Sequence, residues 1–414
     1  MMTRTNRVMI GIVVLLIATA CLGADWAQWR GPNRDGCSTE TGLLKSWLEG
    51  GPKLLWKATG LGEGYSTVAV ASDRIYTTGE KDRMTYVHAL ALDGGKILWS
   101  TKLGKAGAPG WGGFTGPRGT PTVDGDMLYV MGQYGELLCL KTSDGAKVWE
   151  KHLTDDFGGK RPSWGFSESI LVDGDQIVCT PGGKKGAIVA LNKKTGALLW
   201  QTEDFTDSAH YSSIVCATIA GAKQYVQLTA ASVVGVSPEG AVLWRAERKG
   251  KTAVIPTPVV QGDKVYVTSG YGVGCNLFEI SRSGGEFEAK QVYAERSMAN
   301  HHGGAVRVGD YVYGYCDGKG WVCQELATGD LKWAQKREVG KGALVYADGC
   351  FVLRSETRGT VGLIKATPDG YQETGRFMQP GVGKPKTWPH PVIANKKLYL
   401  RDQDLLLCYD VAAR

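Results

Sequence analysis

Residues 127–149, MLYVMGQYGELLCLKTSDGAKVW, contain the pattern that determines the fold. An apolar run at 128–130 is followed by a turn bearing Gly132 and Gly135 and by a second apolar run at 137–140. Residues 143–145, Ser-Asp-Gly, turn the chain again before Trp149. Apolar runs separated by glycine-bearing turns are typical of β-hairpins, so this segment predicts an antiparallel meander.

The same pattern recurs along the chain. A turn glycine stands four residues before a tryptophan at Gly95/Trp99, Gly145/Trp149, Gly196/Trp200, Gly240/Trp244 and Gly329/Trp333. Uninterrupted copies are about 44 to 51 residues apart, in the range of propeller blades. Two further copies lack the tryptophan: a turn at 283–285 with Phe287 nearby, and a turn at 367–370 followed by Tyr371. The repeat predicts a β-propeller.

A second signature precedes each copy and sets the number of blades. It consists of two β-rich runs around a Gly, Asp or Asn turn, and it starts near Ser66, Thr120, Ser167, Ser212, Thr257, Gly303, Gly342 and His390. Only seven outer strands follow these hairpins in order. Residues 52–57, PKLLWK, are predicted to complete the last blade and close the ring, which removes exposed sheet edges. The predicted fold class is all-β: an eight-bladed β-propeller of four-stranded antiparallel blades over residues 52–414.

The N-terminal residues predict export. Arg4 and Arg7 precede an apolar stretch at 8–20 that is too short for a comfortable membrane span, so residues 1–24 are interpreted as a signal peptide and the protein as periplasmic or in the cell envelope. Cleavage after Ala24 would release a soluble protein; the alternative is lipidation of Cys21. Without the two arginines the net charge falls from +7 to about +5, with no basic cluster, which argues against nucleic acid.

Two further features are interpreted as structural. Residues 25–51, which begin DWAQWRGPNRDG, are predicted to form a strap across the propeller, with a binding role as the alternative. Cys139, Cys323 and Cys408 occupy one repeat position and are expected to be small buried residues. No CxxC or Cys/His spacing indicates a metal site, and mostly reduced cysteines are expected.

The repeats also resemble a known family. Residues 190–200, ALNKKTGALLW, resemble the tryptophan-docking motif AxDxxTGxxxW of quinoprotein propellers, with Asn192 in place of Asp. The chain after residue 24 is similar to PQQ-like β-propeller repeat proteins. That family includes PQQ-dependent alcohol dehydrogenases and the propeller lipoprotein of the outer-membrane β-barrel assembly machine. DWAQWRGPNRDG, RPSWGFSES, NHHGG, DGKGWVCQ and LYLRDQD also resemble an exported bacterial subgroup of undefined activity.

The candidate site lies at one mouth of the predicted channel, where the loops entering the inner strands meet. Aromatic and arginine side chains in such loops are typical of binding hot spots. The candidate ligand-binding residues are Trp111, Arg118, Trp164, Glu168, Tyr211, Asn300, His301, His302, Trp388 and His390.

Two functions are compatible with this site. The favoured one is a monomeric binding, assembly or scaffold protein whose mouth takes an envelope protein or small ligand, without a predicted cofactor or metal. The alternative, implied by the family, is a PQQ-dependent alcohol dehydrogenase-like oxidoreductase. It would need an aromatic floor, cations such as Arg118 or Arg161, and Ca²⁺ held by oxygens such as those of Glu168 or Asn300. The adjacent Cys-Cys pair of many such dehydrogenases is missing from the sequence, and no catalytic residue is assigned.

Overall fold

The computed structural model describes residues 25–107, 114–383 and 386–414. Within these ranges the chain forms strands and turns and no helix, in eight sheets of four antiparallel strands, one of which gains a fifth, parallel strand. None of the described residues forms a helix long and apolar enough to cross a membrane. The predicted all-β, eight-bladed propeller is therefore confirmed.

The strands are numbered β1 to β33 in chain order, and each blade runs from its innermost to its outermost strand. The N-terminal segment contributes β1 (Cys37–Ser38) and β2 (Lys53–Ala58). Blade one contains β3 (Ala69–Ala71), β4 (Arg74–Lys81), β5 (Met84–Ala91) and β6 (Ile97–Lys105). Blade two contains β7 (Thr122–Asp124), β8 (Met127–Met131), β9 (Glu136–Lys141) and β10 (Lys147–His152). Blade three contains β11 (Leu171–Asp173), β12 (Gln176–Cys179), β13 (Val189–Asn192) and β14 (Leu198–Gln201). Blade four contains β15 (Val215–Ile219), β16 (Ala222–Leu228), β17 (Ser232–Val236) and β18 (Val242–Glu247).

The second half of the ring repeats this order. Blade five contains β19 (Val259–Gln261), β20 (Lys264–Ser269), β21 (Gly274–Ser283) and β22 (Glu286–Glu295). Blade six contains β23 (Ala305–Val308), β24 (Tyr311–Cys316), β25 (Gly320–Glu325) and β26 (Leu331–Gln335). Blade seven contains β27 (Gly342–Ala347), β28 (Cys350–Ser355), β29 (Thr360–Lys365) and β30 (Glu373–Met378). Blade eight contains β31 (Val392–Ala394), β32 (Lys397–Asp402), β33 (Leu405–Asp410) and, outermost, β2.

The hydrophobic core lies between neighbouring blades. One cluster joins Tyr129 and Leu137 of blade two to Ile177 and Val189 of blade three, and equivalent clusters fill the other interfaces. Because both faces of a blade are covered, its middle strands are buried almost continuously, as in β9, instead of alternating between buried and exposed residues. This explains the continuous apolar runs in the repeat.

In most blades an outer-strand tryptophan packs against the next blade. Trp99 Nε1 donates a hydrogen bond to the carbonyl of Thr142 over 3.0 Å, and a Cβ at Gly145 would lie 2.5 Å from the Trp99 ring. Trp149, Trp200 and Trp333 donate to the following blade in the same way. The residue paired opposite the indole is small, as at Cys139 opposite Trp149. Close approach of the indole therefore explains both the glycine and the small buried residue of these repeats.

Blades four and five depart from this arrangement. Trp244 Nε1 donates to Gln224 within its own blade over 2.6 Å. In blade five the bridging residue is Tyr293, whose hydroxyl donates to the carbonyl of Leu326 over 2.8 Å. Phe287, the aromatic residue close to the turn in the sequence, lies on the long hairpin of β21 and β22, paired with Arg282. The replacement of tryptophan by Tyr293 was not recognised from the sequence.

The ring closes as predicted. β2 pairs antiparallel with β33, with Trp56 opposite Cys408. The Trp56 ring packs against Gly95 of blade one, where a Cβ would lie 2.6 Å from it. The first outer strand of the chain therefore joins the last blade to the first. None of the nine cysteines in the described ranges forms a disulfide, and Cys139, Cys323 and Cys408 are fully buried.

The segment before β2 passes through the channel before it reaches the outside of the ring. Trp26 pairs with Val70 of blade one, and β1 pairs in parallel with the innermost strand of blade seven. Between them, the guanidinium of Arg34 donates over 2.6 Å to the carbonyl of Ser169, beside blade three. Trp47 then packs outside the ring on Phe377, with ring centroids 5.3 Å apart. We call residues 26–38 the channel segment.

Candidate functional site

The loops that enter the innermost strands meet at one mouth and enclose a cavity of about 330 Å³. All eight blades contribute to its wall, together with Trp29 of the channel segment. The lining residues are Trp29, Tyr65, Phe114, Arg118, Trp164, Ser167, Ser169, Tyr211, Ser213, Ala253, Ile255, Tyr271, His301, His302, Lys341, Glu356, Lys386, Trp388 and His390.

Seven of the ten sequence-derived candidates line this cavity: Arg118, Trp164, Tyr211, His301, His302, Trp388 and His390. Trp111 lies outside the described residues, as do the predicted signal peptide and Cys21. Glu168 and Asn300 are buried behind the wall. The structure thus brings together candidates that are far apart in sequence, and it separates two of them from the cavity.

Glu168 and Asn300 hold the wall together. The carboxylate of Glu168 accepts hydrogen bonds from the backbone N–H groups of Thr180, over 2.7 Å, and Ile214. Burial raises the pKa of Glu168 to about 7, although these hydrogen bonds oppose the shift. The amide of Asn300 donates to the carbonyls of Gly304 and Tyr315. Both side chains satisfy buried backbone groups, and their oxygens do not face a ligand.

Trp388 is the centre of an aromatic wall. Its ring centroid lies 4.6 Å from that of Tyr65, 4.9 Å from that of Phe114 and 5.6 Å from that of His302. The Trp29 ring centroid lies 4.6 Å from that of His390, with the ring planes tilted by 51°, and Trp29 donates its Nε1–H to Thr257 over 3.0 Å. The cavity is therefore suited to an apolar or flat group, since such faces are covered best by aromatic rings.

Glu356 orients three of these side chains. Its carboxylate accepts hydrogen bonds from His302 Nε2 over 2.7 Å, Trp388 Nε1 over 3.0 Å and Lys386 Nζ over 3.1 Å. Burial opposes ionisation of Glu356, but hydrogen bonds from His302 and Lys386 outweigh it and lower the pKa of this carboxyl to about 2. One ionised carboxylate thus fixes groups from blades six and eight.

The histidines at the mouth are held neutral. Burial lowers the pKa of His301 and of His390 to about 3 in each case, and the positive charges of Lys341 and Arg30, respectively, act in the same direction. Burial also lowers the pKa of His302, although Glu356 opposes the shift. With its Nε2–H donated to Glu356, His302 has an acceptor at Nδ1 that is buried and has no partner among the described residues.

The cations at the mouth differ in their partners. Lys341 forms an ion pair with Asp317 over 2.7 Å, and Lys386 pairs with Glu356. Arg118 donates to the carbonyls of Phe114 and Gly116 and lies 5.2 Å from the Tyr65 ring centroid. Within the described ranges no carboxylate forms an ion pair with Arg118, and burial lowers its pKa. The mouth therefore carries a positive charge without an acidic partner.

Sequence reasoning missed several lining residues. Glu356 and Tyr271 lie in loops between the second and third strands of their blades, whereas only the loops entering the first strands were considered. Trp29 belongs to the segment interpreted as a strap. A tryptophan close to Arg30 and Arg34 in a polar, glycine-bearing segment is the signal that could have indicated burial of Trp29.

The quinone cofactor and its calcium ion fit this site only in part. The aromatic wall and Arg118 suit a planar carboxylate. However, the oxygens of Glu168 and Asn300 are engaged by backbone groups, and those of Glu356 by three donors. No group of three or more His, Cys, Asp or Glu positioned to hold a metal occurs among the described residues. The side chains therefore do not provide a free set of oxygen ligands for Ca²⁺.

Comparison with known proteins agrees with the fold. The chain is 30% identical over 112 residues to the outer membrane protein assembly factor BamB of Salmonella typhimurium, a match to 25% of this chain and 27% of that protein. It thus spans about a quarter of the length of the curated relatives it matches. One structure similar in fold is BamB from Moraxella catarrhalis, with a TM-score of 0.58 and 16% identity over 83% of this chain and 94% of that one. Another is quinohemoprotein alcohol dehydrogenase from Comamonas testosteroni, with a TM-score of 0.67 and 11% identity over 94% of this chain and 81% of that one.

A family model described as outer membrane protein assembly factor BamB, built on PQQ-like repeats, matches residues 83–335, more than half of the chain. This protein therefore belongs to the BamB family of PQQ-like β-propellers.

Proposed function

We propose that this protein is an exported binding protein that acts in assembly of the cell envelope and receives an envelope partner in the aromatic cavity. The observation that carries the proposal is the convergence of all eight blades and the channel segment on one mouth with an aromatic wall. Family membership supports the envelope role, since the relatives are named outer membrane protein assembly factors. Export through a signal peptide at residues 1–24, and lipidation of Cys21 as its alternative, remain part of the proposal.

Site-specific photocrosslinking in living cells tests this function. Benzoylphenylalanine replaces Phe114, whose ring lines the cavity, or Asp175, which is exposed in the turn between β11 and β12 of blade three. We expect a defined crosslink to an envelope protein from position 114, reduced by Trp388→Ala, and none from position 175. Equal crosslinking from both positions, or none from position 114, would contradict docking at the mouth.

The quinoprotein alternative rests on the aromatic wall beside Arg118. Calorimetric titration with PQQ, with and without Ca²⁺, followed by a dye-linked alcohol oxidation assay, distinguishes it from a binding role. Tight Ca²⁺-dependent binding with dye reduction would favour the enzyme. Absence of heat well above micromolar PQQ would eliminate the cofactor and leave the crosslinking experiment unaffected.

A further inference from the structure

Tyr271 has a strained backbone at the edge of the cavity. It lies in the turn between β20 and β21, next to His301, and adopts a left-handed conformation with φ of 58°. A positive φ is uncommon for residues other than glycine, and for a bulky aromatic residue it is an outlier.

The local sequence does not require this strain. Gly270, Gly272 and Gly274 surround Tyr271, and glycine adopts left-handed conformations without steric cost. The other non-glycine residues with positive φ in the described ranges are Arg30, Arg34, Ser72, Asp82, Arg83, Ala220, Asp348, Asn395, Lys396 and Gln403. Arg30 and Arg34 are buried, with guanidinium groups bonded to backbone carbonyls, and the remainder are small, polar or charged residues in turns. Tyr271 is the aromatic member of this set.

The Tyr271 ring contacts His301 and remains partly exposed. The residue is 41% exposed, so its burial contributes little to the core. Its hydroxyl is 2.9 Å from His301 Nε2, and the two rings meet edge to face with centroids 4.9 Å apart. The ring centroid of His301 in turn lies 6.5 Å from that of Trp388. Tyr271, His301 and Trp388 thus extend the aromatic wall from the cavity to the rim, and Tyr271 has the exposed ring.

We infer that the exposed ring of Tyr271 is the rim contact for a flat apolar group of the ligand, and that it determines the affinity for that class of group. The inference rests on the proposed binding function and deepens it by naming the ligand chemistry. Residues with strained backbones occur preferentially at ligand-binding and active sites. The guanidinium of Arg118 in the same wall has no carboxylate partner among the described residues and is compatible with a negative substituent on that group.

The probe is 1-anilinonaphthalene-8-sulfonate, which combines flat rings with one negative charge. We expect the purified protein to bind it at one saturable site by fluorescence titration. Tyr271→Gly should weaken binding at least tenfold while the thermal midpoint stays equal or rises, because glycine relieves the strain. Tyr271→Phe keeps the ring and should bind within about threefold of the wild type, which separates the ring from its hydrogen bond to His301.

Ala220→Gly is the matched control. Ala220 has φ of 48° in the turn between β15 and β16 and does not line the cavity, so its replacement relieves similar strain without changing the affinity. The inference is overturned if Tyr271→Gly binds like the wild type, if its thermal midpoint falls together with the affinity, or if the wild type has no saturable site. Photocrosslinking at Phe114 is independent: its failure would remove the protein partner and leave an effect of Tyr271 on probe affinity intact.

Discussion

Glu356→Gln is expected to lower the free energy of unfolding by about 3 kcal/mol. Folding lowers the pKa of Glu356 from 4.5 to about 2, and 2.5 units at about 1.36 kcal/mol each correspond to about 3 kcal/mol. A count of hydrogen bonds agrees. His302, Trp388 and Lys386 each lose about 1 kcal/mol when a charged acceptor becomes neutral.

The pH dependence of this effect has a defined sign. Because the folded-state pKa lies below the ordinary value, the ionised carboxylate stabilises the fold above about pH 4.5, and this contribution is lost as the pH falls toward 2. Urea denaturation followed by tryptophan fluorescence at pH 7.5 measures the loss in Glu356→Gln. Repetition at pH 3 should show a smaller difference between variant and wild type.

Asp317→Asn provides the control. Asp317 also forms an ion pair, with Lys341, but both side chains are about 30% exposed. The loss of unfolding free energy in Asp317→Asn should therefore stay below about 1 kcal/mol. A loss of less than about 0.5 kcal/mol in Glu356→Gln, or a loss equal to that of Asp317→Asn, would refute the view that Glu356 organises the mouth.

Three further predictions address the histidines, the repeat glycine and the channel segment. The folded-state pKa of His301 and of His390 is about 3, so below pH 6.5 these histidines take up protons in the unfolded chain before they do so in the folded protein. The free energy of unfolding should therefore fall by about 2 kcal/mol per histidine between pH 6.5 and 5, and His390→Gln should reduce this slope. A urea-denaturation profile that is flat over this range would contradict neutral buried imidazoles. Gly145→Ala should destabilise the protein by at least about 1 kcal/mol more than Gly125→Ala in the same assay. Both glycines have positive φ, but only at Gly145 would a Cβ meet the Trp99 ring. Equal losses of stability in the two variants would refute a steric role for Gly145. Arg34→Met should lower the free energy of unfolding by about 3 kcal/mol or more, since Arg34 is 2% exposed and bonded to two backbone carbonyls. Lys45→Met removes an exposed ion pair and should lower it by less than about 1 kcal/mol. Similar values for the two variants would place the channel segment outside the stable fold.

The candidate site was predictable where it followed from the repeat. Once the hairpins were in register, the loops entering the first strands had to meet at one mouth, and Trp164, Tyr211, His302 and Trp388 do so. Glu168 lies in the same kind of loop and was placed wrongly. A loop residue has the same sequence signal whether its side chain bonds to backbone groups or faces the cavity.

The sequence alone determined the eight-bladed ring and its closure. Most blades share the Gly-to-Trp spacing because the indole of one outer strand packs on the turn glycine of the next blade, so a local pattern carries the global architecture. Only the tertiary structure decided what fills the channel and which side chains act together. Trp29 and Arg34 bond to the loops that enter the inner strands, and Glu356 bonds to Trp388, through contacts between residues distant in the chain. Such contacts depend on how the closed ring positions its loops, and no repeat or periodicity encodes them.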